Sequence, residues 1–432
     1  MAQALGIDLT GSDLQTEVVA GITTFLATLY IIVVNPAILQ NTGMPFSGVV
    51  TATVLVSAFS SIAMGLYAKN PIVLAPGMGL NAFFAFTIVI GMKVPWPTAL
   101  GAVFWSGVIF ILLSIFNIRT RIVEAIPTPI RYAVAAGIGL FITLIGFANA
   151  GFIVSGQATV ITRGGLDPQT LTFLAGLLLT SVLVVRNVKG ALIIGILCTS
   201  LASIPLGRVW GDKVIVKWGG LFSAPDFSLI MQLDLVGSLS LAILPVVFVM
   251  LFTDMFDSLS TFVGVAEAGD LKEKDGSPRH IRESLIVDGF STAISGLFGT
   301  SPGTSYIESA AGIREGGRTG LTAVVAGVLF LPFMFFSPLL SMAPSIATAP
   351  ALVLVGVFMV KPVTRIRWSQ LDDAIPAFLA MFLIPLTYSI SQGIIWGLLS
   401  WTALKMLAGK PHEVPASLWV VDALAVMALV LH

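Results

Sequence analysis

The stretch Gly299-Thr-Ser-Pro302-Gly303-Thr304-Ser-Tyr-Ile-Glu308-Ser-Ala-Ala-Gly312 decides the fold, because it sets a carboxylate in a chain that is 56% hydrophobic and only 10% charged. Soluble domains run at roughly 45–50% and 25%, so most of these 432 residues belong in hydrocarbon. The stretch is too polar for a lipid-facing helix and too short to cross a bilayer as one. Pro302-Gly303 divides it into an extended lead-in and a fresh helix start. Such a break is tolerated at membrane depth only where the freed backbone groups are buried in protein or line a cavity. A second stretch, Ile72-Val-Leu-Ala-Pro76-Gly77-Met-Gly-Leu-Asn81-Ala82, repeats the design, with Asn81 one turn into the helix that follows. Two matched broken helices in corresponding halves of a chain are the best sequence pointer to a transporter's binding site.

Apolar runs separated by Gly, Pro and charges predict an all-α membrane protein of fourteen segments, near 18–39, 48–67, 71–91, 96–116, 128–148, 169–185, 189–205, 237–260, 281–298, 300–313, 319–340, 346–360, 372–389 and 391–408. Segments 3 and 10 are the broken ones. With the amino terminus inside, 17 of the 22 Lys and Arg residues fall in cytoplasmic loops, against five outside (Lys93, Arg163, Arg208, Lys213 and Lys217). That bias supports the count, the cytoplasmic placement of both termini and a multi-pass protein of the cell membrane, inner or plasma. The first apolar run follows Asp8, Asp13 and Glu17 rather than a basic region, so it reads as a first span and not a cleaved signal.

The halves repeat one another. Val56-Ser-Ala-Phe-Ser-Ser-Ile-Ala-Met-Gly-Leu-Tyr67 lies over Val287-Asp-Gly-Phe-Ser-Thr-Ala-Ile-Ser-Gly-Leu-Phe298 with five of twelve positions identical, and Ala75-Pro76-Gly77 then lies over Ser301-Pro302-Gly303. Seven segments per copy is an odd number, so the second copy enters from the opposite side, giving a 7+7 inverted repeat with two matched sites facing each other near the midplane. Residues 206–236 read as an outer linker anchored by Trp210 and Trp218, and 411–432 as a tail whose apolar run, 416–431, is short for a span and is taken as interfacial or packed.

The eighth segment carries Phe248-Val-Met-Leu-Phe-Thr-Asp254-Met-Phe-Asp257-Ser258-Leu-Ser-Thr261, which lines Asp254, Asp257, Ser258 and Thr261 along one helical face with no Lys or Arg in the span. An ionised acid at the bilayer centre costs about 2.5–3.5 kcal/mol, so Asp254, Asp257 and Glu308 together cost on the order of 10 kcal/mol if unpaired. The remedy within reach is a proton, and an acid that takes a proton on one side and releases it on the other couples transport to the proton gradient. These three are the candidate coupling residues; capping or packing near the cytoplasmic end is the plainer account. Asn81 donates and accepts at once, which suits the amide edge of a small polar heterocycle or a bond to its own unwound backbone. Asp288 follows Arg282 by six residues, about 9 Å along a helix, and is expected to pair with it. Thr24 and Thr28 stand opposite the aspartates by the repeat, but helical Thr usually bonds back to its own backbone. With Ser258 they are second-rank candidates.

Other chemistry is excluded. Twenty-two basic and twenty-two acidic residues cancel, which removes the electrostatic case for a nucleic acid. Gly77-x-Gly79-x-x-Ala82 lies within a membrane segment and lacks the acid a dinucleotide site needs, and Glu315-Gly-Gly-Arg-Thr-Gly320 lacks the Gly-Lys-Ser/Thr of a phosphate loop. His280, His412 and His432 have no ligand spacing, so no metal and no cofactor beyond a coupling proton is expected. Asp254 and Asp257 share one helix, whereas an aspartyl protease needs two carboxyls across a gap, so the chain is not expected to be an enzyme. Cys198 has no second cysteine to pair with.

Pro76-Gly-Met-Gly-Leu-Asn-Ala-Phe-Phe-Ala-Phe86, the Asp254-x-x-Asp257 helix with Gly264-Val-Ala266, Thr304-Ser-Tyr-Ile-Glu-Ser-Ala-Ala-Gly312, Gly316-Gly-Arg-Thr-Gly-Leu-Thr322 and Ala347-Thr-Ala-Pro-Ala351 together resemble the nucleobase:cation symporter-2 superfamily, and within it the AzgA-like purine permeases. The resemblance implies proton symport of hypoxanthine, guanine or adenine. It implies a core domain from 1–126 and 237–340, a gate domain from 127–205 and 341–410, and alternating access of one against the other. Carried over by position, it makes Asn81, Asp254 and Glu308 substrate-binding, with Gly77, Gly303 and Thr304 at the breaks beside them. It leaves a homodimer open, and a carrier of the same fold for xanthine, uracil or a small anion is the alternative.

Overall fold

The computed structural model describes residues 12–116, 127–156, 159–209, 219–273, 277–416, 418–419, 422–423 and 425–426. Asp8, Arg119, Arg121, Trp210, Lys213, Lys217, Trp218, Lys274, His432 and much of the run 416–431 lie outside the described residues.

In chain order, α1 (Leu14–Thr28) opens on the Asp13 side chain, which accepts from the Thr16 N–H, and stops at Leu29 and Tyr30 before α2 (Ile31–Leu39) resumes. α3 (Phe46–Ala63) widens into a π-helical turn at Met64–Ala68. Strand β1 (Leu74–Pro76) leads into α4 (Met78–Ala82) and a π-helical continuation, Phe83–Gly91. Then come α5 (Trp96–Ile115), α6 (Thr128–Asn149), the hairpin β2 (Ile153–Ser155) and β3 (Ile161–Arg163), α7 (Pro168–Val185) and α8 (Ala191–Val209). The second half holds α9 (Leu244–Gly269), α10 (Ile281–Phe298), β4 (Gly303–Ser305), a 3-10 turn at Ile307–Ser309, and α11 (Ala310–Arg314). It ends with α12 (Gly320–Phe330), α13 (Ser337–Leu340), α14 (Ser345–Val360), α15 (Leu371–Thr387) and α16 (Ile390–Leu407).

Among the described residues, eight helical stretches are long and apolar enough to cross a membrane, where the sequence predicts fourteen segments. The others are shorter or more polar: α10 carries Arg282, Glu283 and Asp288, and much of it is buried within the protein. The hairpin β2–β3 is an addition, since the sequence predicts no strands between its helices there.

The helices sort into two sets by what they pack against. α5 lies along α10, α1 and α3 lie along α12, and α9 touches α5 and α11. In the other set α6 lies along α14 and α15, α15 along α16, and α14 along α7 and α8. The sets meet where α2 touches α14 and α4 touches α6. Close approach is set by backbone: at the crossing of α3 with α12, a Cβ on Gly65 would collide with the Gly320 carbonyl. The segment 219–243 is tied to the first half, because Ser47 donates to Asp226 at 2.6 Å and holds its carboxyl below the usual carboxylate range.

Two polar staples hold helix ends. Lys405, 1% exposed, meets Asp372, Asp373 and Glu413 at 2.8, 3.1 and 2.7 Å, and Trp401 donates to Asp373, which joins the start of α15 to the end of α16. Glu17 is fully buried on α1 and accepts from the N–H groups of Arg318 and Thr319 and from the Thr322 hydroxyl, so it caps the start of α12 from another helix. Removing that acceptor strands three donors, two of them buried, at about 1 kcal/mol each. Glu17→Ala is therefore expected to cost about 3 kcal/mol and Glu17→Gln less, read as a fall in melting temperature of the detergent-solubilised protein. A Glu17→Ala protein that melts with wild type would remove the staple from the account.

Candidate functional site

The two Pro-Gly stretches meet as a ribbon. β1 and β4 run antiparallel with Leu74 opposite Ser305, Ala75 opposite Thr304 and Pro76 opposite Gly303. The ladder continues where Gly77 N–H donates to Pro302 C=O at 2.8 Å and Tyr306 N–H to Val73 C=O at 2.9 Å. Proline lacks an N–H, and Pro76 sits where the ladder needs none, because alternate residues of an antiparallel pair point their polar groups away from the partner. Its outward C=O is taken by the Tyr306 hydroxyl at 2.5 Å. Ser61 lies 3.1 Å from both the N–H and the C=O of Leu74, and Ser309 accepts from Val73 N–H. Gly77 is required by contact: a Cβ there would press on the Thr304 side chain at 2.9 Å.

Beside the ribbon stand four acids. Glu308, half-buried on the turn after β4, accepts from the Tyr30 hydroxyl at 2.8 Å, which the pause between α1 and α2 aims at it. Asp257, also half-buried, lies 3.4 Å from the Thr304 hydroxyl and close enough to Glu308 for the two carboxyls to repel. Asp254, one turn earlier on α9, is 1% exposed and sits behind β4, where Oδ2 meets the Thr292 hydroxyl and Oδ1 has no partner. Asp288 on α10 is buried and accepts from Ser258 and from Ser305 at 2.7 Å. Among the described residues no ion pair reaches any of the four.

A second knot binds the halves. Asn35 on α2 donates to Thr53 and Thr300, each at 2.8 Å, and its Oδ1 accepts from Asn81 and Ser301, each at 3.2 Å. Asn81 is buried with its own Oδ1 unpaired. Arranged this way, the site offers carboxylate acceptors, hydroxyls of either sense and the rings of Tyr30 and Tyr306, 6.5 Å apart, to a small planar polar molecule. Among the described residues no three His, Cys, Asp or Glu side chains are grouped to hold a metal ion.

The structure thus brings Asn81, Gly77, Gly303, Thr304, Asp257 and Glu308 to one ribbon, and corrects several expectations. Asp254 stands behind the strand rather than beside Glu308, because three residues on a helix turn about 300° and the shared face still has an inner and an outer edge. Ser258 is occupied by Asp288. Thr28 donates to Thr24 C=O at 2.9 Å, and Thr24 packs against Gly312 of α11, so neither hydroxyl faces the ribbon. Asp288 does not pair with Arg282, whose guanidinium donates to Ile115 C=O. Six residues put the two about 120° apart around the helix. Tyr30, Asn35 and Thr292 are the residues that pattern reading overlooks, and Asp288 is one that it gives the wrong partner. Asn35 had a signal, a lone amide before Pro36 within an apolar run.

A family model described as a permease family, Xan_ur_permease, matches residues 15–395. The chain is 39% identical to the adenine permease AdeP of Escherichia coli (strain K12), over 97% of this chain and 94% of that one. It is 40% identical to the guanine/hypoxanthine permease PbuO of Bacillus subtilis (strain 168), over 93% and 94%. Its fold is similar to the transmembrane domain of the cyanobacterial bicarbonate transporter BicA, with a TM-score of 0.65 at 16% identity, covering 89% of this chain and 97% of that one.

The burial contrast between the two aspartates of α9 is directly measurable. With the exposed Cys198 replaced by Ser, Asp257→Cys is expected to react with a small thiol reagent roughly tenfold faster than Asp254→Cys. Equal rates would put both positions on one surface.

Proposed function

The chain belongs to the Xan_ur_permease permease family, and from that membership we propose that it imports a purine nucleobase, hypoxanthine, guanine or adenine, by proton symport. It is a multi-pass membrane transporter and not an enzyme, as its relatives are permeases. The observation that carries the proposal is the β1–β4 ribbon with the half-buried carboxyls of Asp257 and Glu308 beside it. A purine presents an edge of ring N–H, carbonyl and exocyclic amine. A carboxylate such as Glu308, steadied by Tyr30, takes N–H donors of that edge, while a protonated carboxyl donates to a carbonyl or ring nitrogen. Selection of this kind is sharp, because a base lacking one partner leaves a buried polar group unpaired.

The 7+7 inverted repeat is part of the same proposal. Antiparallel pairing of β1 with β4 is what an inverted duplication would produce, and two further details agree with it. Glu17 reaches the start of α12 as Asp234, ahead of α9, reaches Thr98 at the start of α5. Gly65 meets Gly320 as Gly296 meets the Leu100 carbonyl. On this reading, 1–126 with 237–340 form a core that carries the ribbon, and 127–205 with 341–410 form a gate. The core moves against the gate to expose the ribbon to each side in turn, in the cell membrane with both termini cytoplasmic.

In proteoliposomes, labelled hypoxanthine or adenine is expected to accumulate under an inward proton gradient, and to stop accumulating when a protonophore is added. Glu308→Gln exchanges a charged acceptor for a neutral one and is expected to lower kcat/KM roughly 10–100-fold. Uphill, protonophore-sensitive purine uptake by Glu308→Gln or Asp254→Asn protein would remove those acids from the coupling mechanism, and uptake of uracil but no purine would overturn the substrate.

A further inference from the structure

We propose that the Thr292 hydroxyl is a two-position hydrogen-bond switch that converts the proton on Asp254 into a bond on strand β4, resting on the reading above that this site couples substrate to protons. Thr292 lies on α10 with its Oγ1 against two acceptors, the Asp254 carboxylate Oδ2 and, at 3.0 Å, the Gly303 carbonyl. All three groups are buried. The Gly303 carbonyl points toward α10 because Gly303 and Pro76 form a non-hydrogen-bonded pair of the ladder, whose polar groups face away from the partner strand. The approach of α10 is close, since a Cβ on Gly303 would press on Ser295 Oγ at 3.0 Å.

A hydroxyl has one proton, so it serves one of two acceptors at a time. With Asp254 ionised, the charged acceptor takes it, because charge-assisted bonds are about twice as strong as neutral ones. The Gly303 carbonyl then loses this partner. With a proton on Oδ2, the carboxyl O–H donates to Thr292 Oγ1, and the Thr292 proton turns to Gly303 C=O. The carboxyl and the Gly303 carbonyl are both hydrogen-bonded to Thr292 only in that second state. One proton gained at Asp254 therefore fastens β4 to α10 directly beside Thr304, and its loss unfastens it.

The groups facing Asp254 sharpen the effect. They are Asp288 on α10 and Asp257 on its own helix, with Glu308 beyond Asp257. Each is an acid, and each already engages another hydroxyl: Asp288 those of Ser258 and Ser305, Asp257 that of Thr304, and Glu308 that of Tyr30. Thr292 is the hydroxyl among them that also touches the main chain of the ribbon, which makes it a positioning residue between proton and substrate.

The test is the pH dependence of purine KM in proteoliposomes, between about pH 5.5 and 8. Wild type and Thr292→Ser, which keeps the hydroxyl, are expected to lose affinity together as pH rises, by at least about tenfold. Thr292→Val, of similar shape without the hydroxyl, is expected to show weak affinity with a flat profile. A Thr292→Val profile parallel to wild type overturns the switch and leaves proton symport standing. A flat wild-type profile with no protonophore effect overturns both. Should Thr292→Val carry no substrate, the same profile is read from equilibrium binding of labelled purine to the purified protein. Thr292→Cys, a weaker donor, is then expected to fall between Thr292→Val and wild type, and a Thr292→Cys slope equal to that of Thr292→Val and wild type alike overturns the switch.

Discussion

A backbone N–H or C=O has no water to turn to inside a bilayer, and the β1–β4 ribbon is how this chain meets that constraint at its two Pro-Gly stretches. Each interrupted stretch alone would leave a run of unpaired groups. Paired with the other, it leaves only the alternate, outward-pointing ones, and among those met by side chains are Pro76 by Tyr306, Gly303 by Thr292 and Leu74 by Ser61. The ribbon therefore exists only because the halves fold together. That dependence brings Gly77 and Thr304 into contact and places Glu308 one short turn from the crossing.

The acids around it follow a second rule. A buried carboxyl needs a partner or a proton, and here the partners are hydroxyls rather than cations. Tyr30, Thr304, Thr292, Ser258 and Ser305 each donate to one of the four acids. Arg and Lys are spent elsewhere, as in the cluster of Lys405 and Lys410 with Asp372, Asp373 and Glu413. A hydroxyl collar stabilises either protonation state, since it donates to the ionised acid and accepts from the neutral one. A guanidinium would hold only the ionised form. Glu17 shows the contrast, because two backbone N–H groups and a hydroxyl give its carboxylate a fixed structural duty.

Much of this was legible in composition and pattern. The apolar runs and the paired Pro-Gly breaks mark a membrane protein with two related interruptions, and the energetic cost of an isolated acid singles out Glu308, Asp254 and Asp257 without any second sequence. Spacing failed where an angle mattered. Asp254 and Asp257 share a stripe, yet one is buried behind β4 and the other is half-buried beside Thr304. Arg282 and Asp288 are near along the axis and apart around it.

What the sequence alone determined is what depends on neighbours along the chain: which runs are apolar, where Pro and Gly interrupt them, and that lone acids sit among them. Tertiary structure decided which face each acid shows and which hydroxyl it meets, and it drew in Asn35 from α2, Thr292 and Asp288 from α10, and Tyr30 from the pause between α1 and α2. Hydrogen bonds reach about 3 Å while helices meet at 8–10 Å, so a partner is fixed only when the crossing is. No count of residues between two positions supplies that crossing.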